Sequence, residues 1–385
     1  MPDRPRVLFL FSDTGGGHRS AAEAVIEALG MVAPGRFEID LVDVFKQYAP
    51  PPLNLAPAAY PGMVRVPQMW GFGYRVTNGQ RRARAITGAA WPYIRRAVRR
   101  LAREQRADLI VSVHPVMITA VIKGYGSERP PFFTIVTDLV TTHALWYDRR
   151  VDQYVVPTEA ARERALACGL DPARIHVVGL PVAQRFCQAS GDRDALRAEL
   201  DWPLDRPVVL LMGGGEGMGP LFDTAMAIAA PGGDFALAII CGRNRRLKRD
   251  LEAQDWLIPT RIYGFERRIP AMMQAADLLV TKAGPGTITE AINAGLPMVL
   301  YSRLPGQEDG NVTYVVDEGV GTWSPGAERA AASVHRWLRD PAALQQAAAA
   351  CRRIARPTAA IEIAHLIAAQ LQAGQPASPL LAGAA

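Results

Sequence analysis

Short apolar segments alternate with segments of helical pattern along most of this chain, and the series occurs twice. In the first half, apolar runs predict strands at residues 6–11, 37–43, 108–113, 132–136, 153–156 and 175–178. In the second half, they predict strands at residues 208–212, 236–241, 261–264, 278–281 and 298–301. Continuous apolar strands that alternate with helices are typical of parallel sheets covered on both faces. The sequence therefore predicts an α/β protein with two doubly wound, Rossmann-like domains that face a common cleft.

The length of the chain and the breaks in its pattern predict how it is divided. Its 385 residues are too many for one ordinary core, so we expect an N-terminal domain over residues 1–182 and a C-terminal domain over residues 207–371. Residues 183–206 are polar and are expected to form a linker region. Residues 46–92 are proline-rich, aromatic and basic, which indicates an insertion in the N-terminal domain. Residues 372–385 are of low complexity and are predicted to be a disordered tail.

A glycine-rich turn with a histidine follows the first predicted strand, in the sequence Ser-Asp-Thr-Gly-Gly-Gly-His-Arg-Ser over residues 12–20. Such a turn lets another molecule approach the backbone, and it points the free N–H groups of the next helix at that molecule. His18 stands at the point of closest approach and is a candidate for proton transfer. The turn lacks the third glycine of a dinucleotide-binding motif, and it is not a P-loop. An ordinary turn with an incidental histidine is the alternative.

Three further loops follow strands of the second half. Residues 213–217 hold four glycines beside Glu216, which indicates close approach to another group. Residues 284–287, Gly-Pro-Gly-Thr, open a helix whose free N–H groups suit a diphosphate. Glu290, one turn into that helix, can accept hydrogen bonds from a ribose, with a helix-surface glutamate as the alternative. Residues 305–311 are rich in groups that hydrogen-bond sugar hydroxyls.

These features together point to a nucleotide-sugar glycosyltransferase that needs no metal. No Asp-x-Asp pair stands near the glycine loops to hold a divalent cation, so the helix N-terminus is expected to stabilise the leaving group. The four cysteines are scattered, which disfavours a zinc site and favours a reducing cytoplasm. No cofactor is expected beyond the nucleotide-sugar co-substrate. No run of about 18 apolar residues is present to span a bilayer.

The basic charge of the chain is concentrated in one segment. Residues 65–106 contain eleven arginines and one carboxylate, a net charge of +10, whereas the whole chain carries +6. Aromatic residues lie among these arginines, a combination that suits an anionic membrane surface. We therefore predict peripheral docking on the cytoplasmic face of a membrane, with a solvated helix face as the alternative and no nucleic acid as partner. The candidate contacts are Trp70, Phe72, Arg81, Arg82, Arg84 and Trp91.

Several long motifs resemble those of the monogalactosyldiacylglycerol synthases of glycosyltransferase family 28. They lie at residues 12–24, 112–115, 136–139, 212–220, 241–244, 282–291 and 306–312, and the resemblance runs from about residue 6 to 371. It implies the GT-B fold and transfer of galactose from UDP-galactose to the sn-3 hydroxyl of diacylglycerol, with inversion to a β linkage. Because closely related enzymes use UDP-glucose, a UDP-glucose-dependent diacylglycerol glucosyltransferase is the alternative.

From its position in the glycine-rich turn, His18 is expected to be the general base or to orient the acceptor hydroxyl, with Asp138 and His143 as further candidates. The resemblance implies roles for other residues. Residues 284–287 are expected to bind the diphosphate, Glu290 the ribose and Gln307 with Glu308 the hexose. The full set expected to bind the UDP-sugar is Gly17, Gly214, Gly215, Glu216, Gly217, Arg243, Gly264, Phe265, Gly284, Pro285, Gly286, Thr287, Glu290, Gln307, Glu308 and Asn311. In this set, Gly264 and Phe265 flank the uracil.

One position departs from the family pattern. Family members often carry an arginine directly after Gly-Leu-Pro-Val, near the phosphates, whereas this chain has Ala183 there and its first arginine is Arg185. A dinucleotide-dependent oxidoreductase, with Asp40 or Asp43 binding a ribose, is a remote alternative that the missing third glycine disfavours. A non-catalytic lipid-binding protein is also disfavoured, because the many polar groups of the loops would then have no polar ligand to bind.

Overall fold

The computed structural model describes residues 4–14, 16–64, 66–188, 191–217 and 219–373, and it contains two six-stranded parallel sheets. The first sheet consists of β1 (Arg6–Phe11), β2 (Glu38–Asp43), β3 (Leu109–Ser112), β4 (Phe132–Ile135), β5 (Gln153–Val156) and β6 (Ile175–Val177), in the order β2-β1-β3-β4-β5-β6. The second consists of β7 (Val208–Met212), β8 (Ala236–Ile240), β9 (Thr260–Tyr263), β10 (Leu278–Lys282), β11 (Met298–Ser302) and β12 (Gly321–Trp323), in the order β12-β11-β10-β7-β8-β9.

Helices connect the strands and cover both faces of each sheet. Before β7 they are α1 (Gly17–Val32), α2 (Val44–Tyr48), α3 (Ala56–Met63), α4 (Pro67–Thr77), α5 (Gln80–Glu104), α6 (Ile118–Tyr125), α7 (Glu159–Ala167) and α8 (Arg193–Glu199). After β7 they are α9 (Leu221–Ala229), α10 (Arg245–Glu252), α11 (Ile269–Ala275), α12 (Pro285–Asn293), α13 (Asp309–Asp317), α14 (Ala327–Leu338), α15 (Pro341–Ile354) and α16 (Ala359–Ala373). The predicted doubly wound α/β architecture is confirmed.

Strand β12 was not predicted from the sequence. It has three residues and begins with Gly321, so it offers no apolar run to recognise. A Cβ atom at Gly321 would lie 2.2 Å from the carbonyl oxygen of Met298 on the neighbouring strand. The glycine therefore permits a close backbone contact at the edge of the sheet.

The segment predicted as an insertion, residues 46–92, is helical. Its last helix, α5, begins at Gln80, although we expected a helix only from residue 93. Pro92 lies inside α5 and has no N–H to donate to the carbonyl of Gly88. Because both residues are exposed, water can hydrogen-bond that carbonyl, and the helix continues through the proline.

The last helix, α16, returns to the first half of the chain and packs against α1. Ile363 and Ile367 of α16 belong to the same buried apolar cluster as Val25 and Leu29 of α1. The limits of the two domains, at residues 1–182 and 207–371, stay a prediction. Residues 374–385 of the predicted tail lie outside the described residues.

Candidate active site

The carboxyl ends of parallel strands share one edge of a sheet, and most of the sequence motifs follow such ends. In the first half, His18 follows β1 and Asp138 follows β4. In the second half, Gln307 lies in the loop after β11. The side-chain amide of Gln307 donates to Oδ1 of Asp138 at 3.3 Å, so the two halves meet at this point. The loop that carries the predicted hexose residues thus faces the loops around His18.

His18 is the second residue of α1, and its imidazole is fixed by neighbours from three loops. Its Nδ1 lies 2.8 Å from Oγ1 of Thr137. Its ring packs edge-on against the ring of His114, with centroids 4.6 Å apart, and lies 6.2 Å from the ring of Trp146. Burial lowers the pKa of His18 to about 4, an effect that the backbone carbonyl of Val113 partly offsets. The imidazole is therefore neutral at pH 7 and able to accept a proton.

Asp138 is buried and accepts hydrogen bonds on both carboxylate oxygens. Trp146 Nε1 donates to its Oδ2 at 2.7 Å, and Gln307 donates to its Oδ1. Burial raises the pKa of Asp138 to about 6, although these two donors lower it. Because Trp146 also neighbours His18, the Asp138 carboxylate links the histidine to the hexose loop.

His143 has a partner on each ring nitrogen. Its Nδ1 accepts from the backbone N–H of Leu145 at 3.1 Å, so the proton is on Nε2, which lies 3.1 Å from Oγ1 of Thr77. Thr77 in turn donates to the carbonyl of Gly73 at 2.7 Å. Both nitrogens of His143 are thus occupied, Nδ1 by its own loop and Nε2 by Thr77 of α4, and this geometry does not favour His143 as a base.

The glycines of residues 213–217 pack against the loop after β8. A Cβ atom at Gly217 would lie 2.2 Å from the carbonyl oxygen of Cys241, and one at Gly242 would lie 2.3 Å from that of Gly215. Gly217 and Gly242 both have a φ of 58°, which disfavours any side chain there. The close approach predicted for this loop therefore includes its contact with the neighbouring loop.

Arg243 links this loop to an exposed aromatic ring. Its Nη1 lies 2.7 Å from Oε1 of Glu216, and its guanidinium lies 4.4 Å from the ring centre of Phe265. The Phe265 side chain is exposed. A planar ring that is fixed from one side and open on the other is suited to stacking with a base.

Helix α12 begins at Pro285 after the cap residue Gly284, and no side chain caps its first N–H groups. A Cβ atom at Gly286 would meet open space, so the backbone is accessible at this end. Lys282 stands beside it: its Nζ would lie 3.0 Å from a Cβ atom at Gly284 and lies 2.8 Å from Oε1 of Glu308. The free N–H groups and the ammonium together favour an anion.

Sequence reasoning did not assign a role to Lys282, although the residue opens the Lys-Ala-Gly-Pro-Gly-Thr motif. The side chain of Glu308 is 3% exposed and also accepts from the backbone N–H of Leu304 at 2.7 Å. Its carboxylate is therefore fully engaged within the protein. A lysine directly before a glycine-rich helix start was the signal that could have identified this pair.

Two amide side chains near this pair have a carbonyl oxygen without a protein partner. Asn311 is 2% exposed and donates to the carbonyl of Ala283 at 2.9 Å, while its Oδ1 has no partner. Gln307 donates to Asp138, while its Oε1 has none. Buried polar atoms are normally hydrogen-bonded, so these two unpaired oxygens are candidate acceptors for a ligand.

Glu290 lies on the first turns of α12, and burial raises its pKa to about 7. The positive charge of Arg185 opposes that rise. Arg185 also lies 3.6 Å from the carboxylate of Glu27 on α1, and most of its side chain is exposed. The first arginine after Ala183 therefore stands close to the carboxyl group that was expected to bind the ribose.

The predicted membrane contacts fall into two groups. Phe72, Arg81 and Arg84 are exposed. Arg82 is also exposed, but it donates to carbonyls at the end of α4. Two tryptophans are packed against the protein instead: Trp70 against the ring of Tyr60 and Trp91 beneath the ammonium of Lys123. Additional exposed apolar side chains occur within or beside α3 and α4, namely Leu55, Met63, Val66, Met69 and Val76.

Membrane-spanning helices and clusters of metal ligands are both absent from the part of the chain that the structure describes. No helix among residues 4–373, apart from the gaps given above, is long and apolar enough to cross a membrane. Within the same ranges, no group of three or more His, Cys, Asp or Glu side chains is arranged to hold a metal ion.

Solved structures with the same fold have low sequence identity to this chain. The glycotransferase of kitacinnamycin superposes with a TM-score of 0.61 at 16% identity, covering 96% of this chain and 100% of that one. MurG of Acinetobacter baumannii superposes with a TM-score of 0.60 at 16% identity, covering 95% of this chain and 99% of that one. At these identities the likeness concerns the fold alone, and it confirms the predicted GT-B architecture.

Family models and curated relatives match most of the chain. The model of monogalactosyldiacylglycerol (MGDG) synthase matches residues 18–182, and that of the glycosyltransferase family 28 C-terminal domain matches residues 208–361. A probable MGDG synthase 2, chloroplastic, of Oryza sativa subsp. indica is 40% identical over 86% of this chain and 73% of its own length. The MGDG synthase 2, chloroplastic, of Arabidopsis thaliana is 38% identical over 93% and 79%. The resemblance inferred from the motifs is confirmed, and the chain belongs to the monogalactosyldiacylglycerol synthase family of glycosyltransferases.

Proposed function

We propose that this chain transfers galactose from UDP-galactose to the sn-3 hydroxyl of diacylglycerol, with inversion to a β linkage, and so forms monogalactosyldiacylglycerol. The observation that carries the proposal is the match to MGDG synthases over most of the chain. The cleft agrees with it, because a neutral histidine on one side faces anion-binding and sugar-binding groups on the other. The family assignment leaves the oxidoreductase alternative without support.

His18 acts as the general base in this proposal. A primary alcohol has a very high pKa, so its proton must leave while the new bond forms. The free imidazole nitrogen takes the hydroxyl proton as the oxygen bonds to the anomeric carbon of galactose. The bond from that carbon to the diphosphate breaks, and UDP leaves with its electrons. A single displacement from the opposite face inverts the configuration.

The donor would be bound by the second half of the chain. The first N–H groups of α12 and Lys282 hold the diphosphate, and Glu290 accepts hydrogen bonds from the ribose. Phe265, supported by Arg243, stacks on the uracil. Gln307 and Asn311 accept from hexose hydroxyls. Positive charge from the helix and lysine stabilises the leaving diphosphate, so we propose that no metal is required.

A transfer assay tests the proposal directly. The purified chain is incubated with dispersed diacylglycerol and radiolabelled UDP-galactose or UDP-glucose, with chelator in a parallel series, and the glycolipid is identified. We expect galactosyl transfer that the chelator does not abolish. His18→Ala should lower turnover by about 10²–10⁴-fold and leave UDP affinity unchanged, whereas the remote His176→Ala should have no effect. Glucosyl transfer would reassign the donor, and transfer with neither donor would refute the proposal.

We also propose that the chain docks peripherally on the cytoplasmic face of a membrane. The acceptor lipid is confined to a bilayer, so the enzyme must reach it there. Exposed apolar residues of α3 and α4 lie next to exposed arginines at the start of α5. This combination supports insertion of apolar side chains beside anionic lipid headgroups.

A further inference from the structure

Thr137 lies between His18 and a backbone carbonyl at the base of the cleft. It is 4% exposed, and its Oγ1 is 2.8 Å from Nδ1 of His18 and 3.5 Å from the carbonyl oxygen of Val113. These are the contacts of its hydroxyl group among the described residues. Nothing in the donor-binding or leaving-group chemistry above uses this residue.

The donor and acceptor roles in this chain of contacts are determined by Val113. A carbonyl oxygen can only accept, so the single hydroxyl proton of Thr137 is directed to Val113. The hydroxyl oxygen is then left to accept, and the proton in the contact with His18 belongs to Nδ1. In a neutral imidazole that carries its proton on Nδ1, the lone pair is on Nε2.

Apart from the Val113 carbonyl, which raises the pKa of His18, the groups around His18 do not provide a competing acceptor for its proton. His114 accepts the backbone N–H of Val116 on Nδ1 at 3.4 Å, so its own proton is on Nε2, directed to Thr14 at 3.1 Å. Burial and the neighbouring His18 lower the pKa of His114, which keeps this ring uncharged. Trp146 donates its only N–H to Asp138.

We propose that Thr137 is a positioning residue that holds His18 in the tautomer with the proton on Nδ1 and so presents the Nε2 lone pair to the acceptor hydroxyl. This inference rests on the proposed role of His18 as the base. Without the hydroxyl group, the imidazole can adopt the other tautomer, in which Nε2 carries the proton and cannot accept one.

The test compares Thr137→Val, which removes the hydroxyl group at nearly constant volume, with Thr137→Ser, which keeps it. Nitrogen-15 NMR of histidine-labelled protein, assigned with His18→Asn, reports which ring nitrogen carries the proton. We expect a protonated Nδ1 in the wild type and in Thr137→Ser, and a mixture of tautomers in Thr137→Val. Turnover of Thr137→Val should fall by about tenfold to a hundredfold, with an unchanged KM for UDP-galactose and restoration in the serine variant.

The two readouts separate this inference from the proposed function. A wild-type spectrum with the proton on Nε2 would overturn the role of Thr137 whatever the activity. Normal turnover in His18→Ala would instead overturn the role of His18 as base, and the inference with it. Equal losses of turnover in the valine and serine variants, with an unchanged tautomer in both, would reduce Thr137 to a packing residue.

Discussion

At the scale of single residues, the cleft contains the carboxyl group of Asp138, whose charged form is disfavoured by burial. Asp138 is 6% exposed and has a pKa of about 6, against an ordinary value of 3.8. Because the folded state holds this proton more tightly than the unfolded chain, stability falls as the pH rises from about 4 to about 6 and stays reduced above it. The buried charge is therefore a destabilising feature that the site retains at neutral pH.

Asp138→Asn should stabilise the folded protein while lowering its transfer activity. The variant keeps the acceptor for Trp146, and the Gln307 amide can turn to accept from the new amide group. Relative to the wild type, we expect a gain of about 1–3 kcal/mol at pH 7 that shrinks to nothing near pH 4. Thermal unfolding of both proteins from pH 4 to pH 8 measures this. A constant difference across the range would contradict the raised pKa.

The ion pair of Lys282 and Glu308 lies at the end of β10. We expect it to contribute both to the stability of the fold and to binding of the UDP-sugar donor. Lys282→Met should leave the buried Glu308 carboxylate without its cationic partner, with only the Leu304 N–H to accept from, and cost about 3–5 kcal/mol of stability, with weaker binding of UDP. The double variant Lys282→Met/Glu308→Gln should recover most of the stability, because the remaining side chain is neutral. It should not recover UDP affinity, measured by calorimetric titration, because the positive charge is still missing. Recovery of both would mean that Lys282 acts on Glu308 alone.

Sequence patterns predicted candidate residues that stand within a recognisable motif. They did not predict which side chains form pairs in the folded protein. His18 was recognisable because a histidine in a glycine-rich turn at a strand end is placed where a ligand can reach it. Lys282 was not singled out, because the motif does not show that its ammonium pairs with a glutamate 26 positions further on. Trp70 and Trp91 were predicted at the membrane because their type fits that surface; this stays a prediction, and composition did not show that Trp70 packs on Tyr60 and Trp91 on Lys123. Composition indicates a class of surface but not which face of a helix meets it.

At the scale of elements, α4 connects the exposed apolar side chains of the first half to residues 304–310 of the second half. We call residues 304–310 the sugar loop, because they carry the residues predicted to bind the hexose. A Cβ atom at Gly71 would lie 2.7 Å from Cβ of Pro305, and one at Gly306 would lie 3.0 Å from the ring of Tyr74. The Tyr74 hydroxyl also donates to the carbonyl of Thr141 at 2.9 Å. The helix therefore packs directly against residues 304–310, which carry Gln307 and Glu308.

Two glycines of α4 form a matched pair for testing this contact. Gly71→Ala places a methyl group against Pro305, whereas Gly73→Ala places one in open space. Both changes favour the helix by up to about 1 kcal/mol, so their difference isolates the contact. We expect Gly71→Ala to lower kcat/KM for UDP-galactose by about tenfold and Gly73→Ala to leave it unchanged. Equal kinetics in the two variants would show that the sugar loop does not depend on α4.

Most of the parallel strands were predictable because they are short apolar runs, and the helices of the insertion were not. The start of α5 was missed because Pro92 resembles a helix boundary, while the exposure that makes it harmless is a tertiary property. The three-residue β12 was missed because strand pairing, rather than its own composition, defines it. Similarly, the packing of α16 on α1 is a tertiary contact that no motif indicated.

At the scale of the whole molecule, exposed apolar residues and exposed arginines occur together in α3, α4 and the start of α5. We call the proposed membrane-contacting surface the docking face. It is defined by seven exposed residues within or beside α3, α4 and the start of α5, namely Leu55, Met63, Met69, Phe72, Val76, Arg81 and Arg84. Since α4 also contacts the sugar loop, the docking face adjoins the cleft. An orientation in which this face meets the bilayer brings the cleft close to the lipid acceptor.

Charge reversal on the docking face should weaken membrane binding in a way that depends on position and not only on net charge. We would compare Arg81→Glu/Arg84→Glu with Arg329→Glu/Arg339→Glu, which changes the net charge equally on and just beyond α14. Each arginine near an anionic surface contributes about 1 kcal/mol, so the first variant should bind anionic vesicles at least about tenfold more weakly, and the second should bind as the wild type. The difference should diminish in high salt, where exposed charges are screened.

Phe72→Ala should weaken binding at all salt concentrations, because apolar insertion is not screened. Equal losses in the two charge-reversal variants would mean that net charge alone attracts the protein, and that the docking face has no special part in it.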